Sequence, residues 1–315
     1  MERYIKWKHT IYSSEYDALL QKEIAVWWVG GNSDMTYEEI QKSIPYRTYR
    51  LWIIETELSI IRKMDKKELR VLELWSSNGW LSIEVLKCEN VQQITSIDIS
   101  LGQDLMMQEK NEKKIISLKG DLNKIDKIDF GGEKFDIILT HGTLHHLVDP
   151  LFVLNYTADS LLHAWGLIII NDSYKLSSPQ LKINALIAIL CIRLPKYMIE
   201  LNPMDFFRNF IKIPGVILSK NYAAAFAHNH EASPFESISS FEDYEAFYAR
   251  KDLKVELFQR FAAIPALFWA IDHYPFKNTK FVQKMLAGLN RLDTFLIRKD
   301  LLTGDAHLTI IRKYA

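Results

Sequence analysis

Several features are scarce in this 315-residue sequence, and each scarcity removes a class of protein. The formal net charge is zero because 39 Lys and Arg balance 39 Asp and Glu, so no overall field attracts nucleic acid or an anionic membrane, and only local basic patches remain. Only two cysteines occur, Cys88 and Cys191, both among apolar residues. Two buried free thiols are therefore expected and not a disulfide, which fits a reducing cytoplasm.

Long apolar runs are also missing. The longest, at residues 183–192, is too short to span a bilayer and is closed by Arg193 and Pro195, so it predicts a buried or interface helix. The first four residues lack the apolar core of a signal peptide, and we expect a cytoplasmic protein. His228, His230 and Glu231 stand close together, but no further ligand cluster completes a site, so we interpret them as a polar loop and predict no metal.

The chain is organised around residues 71–81. An apolar run typical of a buried strand ends in a small-residue turn, and the turn opens into an apolar-periodic helix. Five strands are predicted in all, at residues 70–74, 93–97, 114–119, 135–140 and 166–171. Helices are predicted between them at 81–88, 102–112 and 151–162. Helical segments of this length between strands imply right-handed crossovers, so we predict a doubly wound, Rossmann-like α/β fold with a mostly parallel sheet.

Four segments are predicted along the chain. Residues 1–63 form a helical leader that packs on the next domain, and residues 64–172 form the ligand-binding core. Residues 173–250 are too long for an ordinary connection, so we interpret them as a helical lid insertion with helices at 181–194 and 198–210. Residues 251–315 complete the sheet with two strand-like runs around a helix at about 279–298.

Acidic residues stand where consecutive strands end. Glu73 closes the first strand, Asp98 closes the second, 19 residues beyond Gly79, and Asp121 follows the third. This is the spacing at which a carboxylate reaches the ribose of a nucleotide held by the first turn. The turn has one glycine and no cradle for a pyrophosphate. A ligand that contains adenosine but no phosphates fits it better.

These stretches together resemble the successive motifs of class I S-adenosylmethionine-dependent methyltransferases. The likeness covers residues 70–172 and is carried by 71–86, 94–99, 119–122, 135–140 and 144–150, with Ala164-Trp165-Gly166 in place of a later proline-glycine-glycine turn. More weakly, residues 233–240 resemble a segment of bacterial methyltransferases of sugars and secondary metabolites. The resemblance specifies the cofactor, S-adenosylmethionine, and an antiparallel edge strand at the C-terminus, for which residues 307–312 are the candidate. It does not specify the acceptor.

The resemblance also implies roles for individual residues. Glu73 and the turn made by Trp75, Asn78 and Gly79 approach the methionine part of the cofactor. Asp98 binds the ribose. Ile99 and Leu122 lie on either side of the adenine, and Asp121 contacts the adenine amino group. Thr140 and His141 border the sulfonium.

One departure from the family pattern lies in the first turn. The family usually has glycine at the positions of Trp75 and Ser77, because the backbone there adopts a positive φ or lies close to the ligand. The Trp75 side chain must therefore point away from the cofactor, or the loop must take another path.

Methyl transfer requires an oriented acceptor and, for a hydroxyl, removal of its proton. The candidates lie where strands four and five end: His146, His145, Asp172, Tyr174 and His141. His146 is a reasonable base because histidine titrates in the useful range, although His145 and His146 could equally well only begin a helix, and Asp172 could only anchor the lid. Aromatic residues of the leader, which either pack in the core or contact the sulfonium, are Tyr12, Tyr16, Trp27 and Trp28.

Three functions are compatible with these observations. The first is methyl transfer to a small molecule such as a sugar or natural-product intermediate. The second is another use of the same cofactor, such as intramolecular displacement that releases methylthioadenosine. The third is a non-catalytic cofactor-binding protein, which is motivated by Trp75 and Ser77. A nucleic-acid acceptor is disfavoured because no basic, aromatic-interleaved stripe occurs, and a homodimer is compatible with the sequence.

Overall fold

The computed structural model describes residues 14–28, 37–42, 44–76, 79–99, 114–173, 178–187, 189–190, 203–218, 244–264, 280–304 and 306–314. Several predictions fall outside these ranges, namely the helix at 102–112, the loop with His228, His230 and Glu231, the segment 233–240, and the residues Tyr12, Asn78, Tyr174 and Cys191. Trp27 and Trp28 lie at the end of a described helix, but their side chains are outside the description. Cys88 is a buried free thiol.

A seven-stranded sheet forms the centre of the molecule, in the order β3-β2-β1-β4-β5-β7-β6. The strands are β1 (Leu69–Leu74), β2 (Val91–Asp98), β3 (Lys114–Lys119), β4 (Phe135–His141), β5 (Leu162–Ser173), β6 (Leu253–Phe261) and β7 (Ala306–Lys313). Strands β1 to β5 run parallel to one another, whereas β7 runs antiparallel to both β5 and β6. The predicted fold class is confirmed. The C-terminal strand β7 is antiparallel, as predicted, but it lies between β5 and β6, so β6 is the edge strand.

The inner strands are buried on both faces, as expected for a parallel sheet covered by helices. On one face lie α3 (Ile44–Tyr49), a π-helical segment (Arg50–Ile54), α4 (Glu55–Arg62), α5 (Trp80–Leu86) and α10 (Lys280–Arg298). On the other face lie two 3-10 turns (Leu122–Lys127 and Leu144–His146), α6 (Pro150–Tyr156) with a π-helical end (Thr157–Leu161), and α9 (Glu245–Tyr248). The remaining described helices are α1 (Ser14–Trp28), α2 (Tyr37–Lys42), α7 (Ser178–Ile187) and α8 (Pro203–Leu218).

The leader packs on the sheet, as a segment without its own core must. Ile53, Ile54 and Leu58 are fully buried in the same cluster as the β1 residue Val71. The last part of the leader is not one continuous helix, because the π-helical segment separates α3 from α4 and turns Trp52 inward against Phe261 with ring centroids 5.9 Å apart. The four-segment division of the chain stays a prediction.

No helix among the described residues is both long and apolar enough to cross a membrane.

Candidate active site

The first turn begins at Trp75, directly after β1. Trp75 has φ 61° and Gly79 has φ 77°, so both adopt the left-handed conformation that glycine enters without steric cost. The Ser76 N–H donates to the Ile97 carbonyl of β2 at 3.1 Å, and the Gly79 N–H donates to the Ser76 carbonyl at 2.8 Å. At residue 75 the turn therefore keeps the left-handed backbone that the family pattern requires, although tryptophan occupies the position.

The Trp75 indole packs on His146 from the turn after β4. The two rings are stacked, with centroids 5.4 Å apart and an interplanar angle of 19°. His146 is only 5% exposed, and its ring also lies 4.0 Å from that of His145. His146, which the sequence suggested as the base, is thus held in an aromatic stack.

His145 and Asp172 form a buried pair at the ends of β4 and β5. The His145 Nδ1 lies 2.5 Å from Asp172 Oδ1, while the N–H groups of Leu144 and Ser173 donate to the same carboxylate at 2.5 and 2.7 Å. Burial alone would raise the pKa of Asp172, but the charge and hydrogen bond of His145 and the Ser173 N–H outweigh it and leave the pKa below its usual value. Asp172 is therefore an ionised carboxylate that orients an imidazole, an arrangement suited to proton transfer.

On the opposite face of the sheet, Glu57 of α4 reaches the ends of the same strands. Asn171 Nδ2 donates to Glu57 Oε1 at 3.3 Å and lies 3.1 Å from His141 Nδ1. Glu57 Oε2 is buried without a hydrogen-bond partner, as is the hydroxyl of Thr140. Burial raises the pKa of Glu57 to about 7 and lowers that of His141 to about 4, so His141 is neutral at physiological pH.

Glu73 and Asp98 add two more buried acids to this face. Glu73 is 3% exposed and accepts a hydrogen bond from the Ser82 hydroxyl, which also lies 2.8 Å from the Ser96 hydroxyl. Burial, with smaller contributions from the charges of Asp98 and Glu57, raises the pKa of Glu73 to about 8. Asp98 is 1% exposed at the end of β2. The two buried carboxyls with raised pKa values, Glu57 and Glu73, disfavour extra negative charge and favour a cationic ligand.

At the outer strands, Asp121 is covered by the leader. The Tyr16 hydroxyl donates to Asp121 Oδ2 at 2.7 Å and accepts from Asn123 Nδ2 at 3.0 Å, while the Asn123 N–H donates to Asp121 Oδ1 at 3.0 Å. Tyr16 is fully buried. Because a carboxylate offers about four acceptor positions, Asp121 retains capacity for a further donor. Ile99 and Leu122 are buried beside it, at 8% and 2% exposure.

Sequence reasoning missed three contributors to the site: Glu57, Asn171 and Ser82. Glu57 had a detectable signal, because it stands among Ile53, Leu58 and Ile61 on the buried side of an amphipathic helix, where an acid is rare without a function. Ser82 and Asn171 had no detectable signal in the sequence, since a polar residue in a helix or at a strand end is common.

In the described part of the chain, no group of three His, Cys, Asp or Glu is arranged to hold a metal ion.

The comparisons with known proteins agree with this geometry. A protein-family model described as a methyltransferase domain matches residues 65–233. No curated protein matches the sequence.

Several solved structures are similar to the chain. A chain of the complex that contains the Haloferax volcanii Trm112 methyltransferase activator has a TM-score of 0.52 at 11% identity, covering 94% of this chain and 98% of that one. An S-adenosylmethionine-dependent methyltransferase from Mesorhizobium loti gives 0.46 at 13%, with coverages of 82% and 96%. The plantazolicin methyltransferase in complex with SAH gives 0.44 at 13%, with coverages of 98% and 94%. At such identities the likeness shows the fold alone.

Proposed function

The chain belongs to the methyltransferase-domain family and uses S-adenosylmethionine, and from this premise we propose that it methylates a hydroxyl group of a small molecule, such as a sugar or a natural-product intermediate. The buried His145–Asp172 pair carries this proposal. A hydroxyl acceptor must lose its proton during transfer, and an imidazole oriented by a carboxylate is a group that can take it. The pair lies at the carboxyl ends of β4 and β5, where ligands of open α/β sheets bind.

The residues present fit the cofactor. Glu57 Oε2 and the Thr140 hydroxyl are buried acceptors without hydrogen-bond partners at the strand ends, and the carboxyls of Glu57 and Glu73 have pKa values that a neighbouring positive charge would lower. When bound, S-adenosylmethionine supplies a methyl group activated by its sulfonium charge. We assign the ribose to Asp98 and the adenine to Asp121, Ile99 and Leu122. The methionine part is assigned to the turn from Trp75 to Gly79, with Glu73 beneath it.

In this proposal His145 takes the role of base and His146 a packing role. Asp172 fixes the His145 ring through Nδ1, so the proton moves to Nε2 and the resulting imidazolium is stabilised by the buried carboxylate. His146 is stacked against Trp75, so it fixes one wall of the site. The neutral His141 adds no positive charge beside the sulfonium.

The reaction is tested with methyl-labelled S-adenosylmethionine and a panel of hydroxylated sugars and phenols, with product analysis. We expect S-adenosylhomocysteine and a labelled acceptor. Methylthioadenosine without a labelled acceptor would establish the intramolecular reaction instead, and binding of S-adenosylhomocysteine without any turnover of S-adenosylmethionine would establish a non-catalytic protein.

Asp98→Ala should weaken S-adenosylhomocysteine binding about tenfold or more in calorimetry, because the hydrogen bonds of a charged acceptor are lost. Unchanged affinity would contradict the ribose assignment.

The base is tested by His145→Gln, which should lower kcat by about a hundredfold or more. His163→Gln is the matched control, since His163 lies at the other end of β5. Added imidazole should restore part of the His145→Gln activity and none of the activity lost in Asp98→Ala. Full activity of His145→Gln would reject the base assignment.

A further inference from the structure

A cavity of about 800 Å³ lies at the end of the sheet opposite the candidate active site, and its size is typical of small-molecule sites. One wall is the segment between α4 and β1, which carries Lys63 and Lys66, and the other wall is the beginning of β5 with Trp165. Asp172 of the candidate active site stands seven residues further along β5. At about 3.3 Å per residue the two places are roughly 20 Å apart. The cavity is therefore separate from the site to which the cofactor is assigned.

Trp165 presents an aromatic surface to this cavity. The residue lines the cavity and is 56% exposed. Its ring packs edge-to-face against Tyr314 with centroids 5.1 Å apart, and Arg312 Nη1 donates to its carbonyl at 3.1 Å. Arg312 is itself fixed by two hydrogen bonds to the carboxylate of Glu256. A ring held in this way loses little conformational entropy when another ring packs on it.

The lysines of the opposite wall supply donors for an anion. Lys66 is ion-paired with Asp136 at 2.5 Å, which engages one of the three N–H groups of its ammonium. The other oxygen of Asp136 accepts from the Arg70 N–H at 3.0 Å, so this buried acid is already satisfied. Lys63 forms no ion pair in the part of the chain that the structure describes. With the exposed Asp65 included, the lining has three basic and two acidic residues, and its charge is positive.

We propose that this cavity binds a small molecule that consists of an aromatic ring and one anionic group, either a carboxylate or a phosphate. The ring packs on the Trp165 indole, and the anionic group lies at Lys63 and Lys66. Ile60 and Met64, which also line the cavity, favour the ring over water. An anion accepts charge-assisted hydrogen bonds from the two ammonium groups, which a neutral ring does not. The inference does not depend on the proposed reaction.

Calorimetric titration of the full-length protein with 1-naphthoate and with 1-naphthyl phosphate tests the proposal. Saturating S-adenosylhomocysteine is present, so that the cofactor site is filled. We expect at least one of the two anions to bind with a Kd below about 1 mM and to bind more weakly in high salt. The tighter of the two identifies the anionic group. 1-Naphthalenemethanol, which has the ring without the charge, should bind at least about fivefold more weakly.

Substitutions on both walls locate the bound anion. Trp165→Gly removes the ring and should weaken binding about tenfold, whereas Trp165→Tyr keeps a ring and should stay within about threefold of the wild type. Lys63→Gln should weaken binding about fivefold. Lys67→Gln is the matched control, because Lys67 is an exposed lysine of the same segment that does not line the cavity, and it should bind like the wild type. Melting temperature checks that each variant is folded.

Three results would overturn the proposal. The first is that neither anion binds the wild type, or that 1-naphthalenemethanol binds as tightly as both anions. The second is that Trp165→Gly or Lys63→Gln binds as tightly as Lys67→Gln, since the anion would then lie elsewhere on the protein. The third is an equal loss in the glycine and tyrosine variants of Trp165, which would show that the ring at this position is not what the ligand contacts.

Discussion

Raising the pH should destabilise this protein through Glu73. Burial raises the pKa of this carboxyl from 4.5 to about 8, so the protonated form is favoured in the folded state. The stabilisation is fully present below the unfolded pKa and is lost as the pH rises through the folded pKa. From roughly pH 6 to roughly pH 8.5 the loss attributable to Glu73 is about 2.5 kcal/mol in the free energy of unfolding.

The measurement is urea denaturation at the two pH values for the wild type and for Glu73→Gln. The glutamine has nearly the same shape and still accepts from the Ser82 hydroxyl, so it mimics the protonated acid. The variant should lose about 2.5 kcal/mol less than the wild type over the interval. Glu57, whose pKa is raised to about 7, contributes in the same direction in both proteins, so most of its contribution cancels in the comparison. Equal pH dependence in the two proteins would refute the assignment of a buried, protonated Glu73.

The remaining predictions concern two aromatic contacts. Trp75→Gly loses a ring stack worth about 1 kcal/mol but relieves a left-handed strain of about 1 kcal/mol, so the free energy of unfolding should change little. Trp75→Ala loses the same stack and keeps the strain, so it should cost about 1 kcal/mol. Equal losses in the two variants would argue against strain at this residue. Tyr16→Phe removes the hydroxyl that joins Asp121 and Asn123 and should cost about 1 to 3 kcal/mol in denaturant unfolding. Asp121→Asn combined with Tyr16→Phe should then cost less than the sum of the two single changes, while additive losses would contradict the coupling.

The sheet was predictable because its central strands are mostly apolar. Runs such as residues 135–140 and 166–171 are buried on both faces, and a strand of this kind needs no partner to be recognised. The strand-end acids followed from spacing alone, since parallel strands bring their carboxyl ends to one edge. Asp98 and Asp172 accordingly lie at the ends of β2 and β5.

Contacts between distant segments were not predictable. Tyr16 meets Asp121 across 105 positions and Asn171 meets Glu57 across 114, and no local pattern encodes such a pairing. The choice of His145 as the partner of Asp172, with His146 directed to Trp75, depends on the 3-10 turn at Leu144–His146. Adjacent residues in such a turn point in different directions, so the sequence could identify the pair of histidines but not divide their roles.

Two tryptophans, Trp75 and Trp165, stand where the family usually has glycine, and comparing them shows whether a left-handed backbone by itself marks a residue of the candidate active site. Trp165, which stands where the family has the proline-glycine-glycine turn, lies within β5 and has φ 66°, close to the 61° of Trp75. Trp165 packs against Tyr314 with ring centroids 5.1 Å apart, yet it is 56% exposed at the opposite end of the sheet. A left-handed tryptophan is therefore tolerated in this chain away from the candidate site, and strain alone does not mark a catalytic turn. What connects Trp75 to the site is its partner, because the stack holds His146 in place and His146 packs on His145.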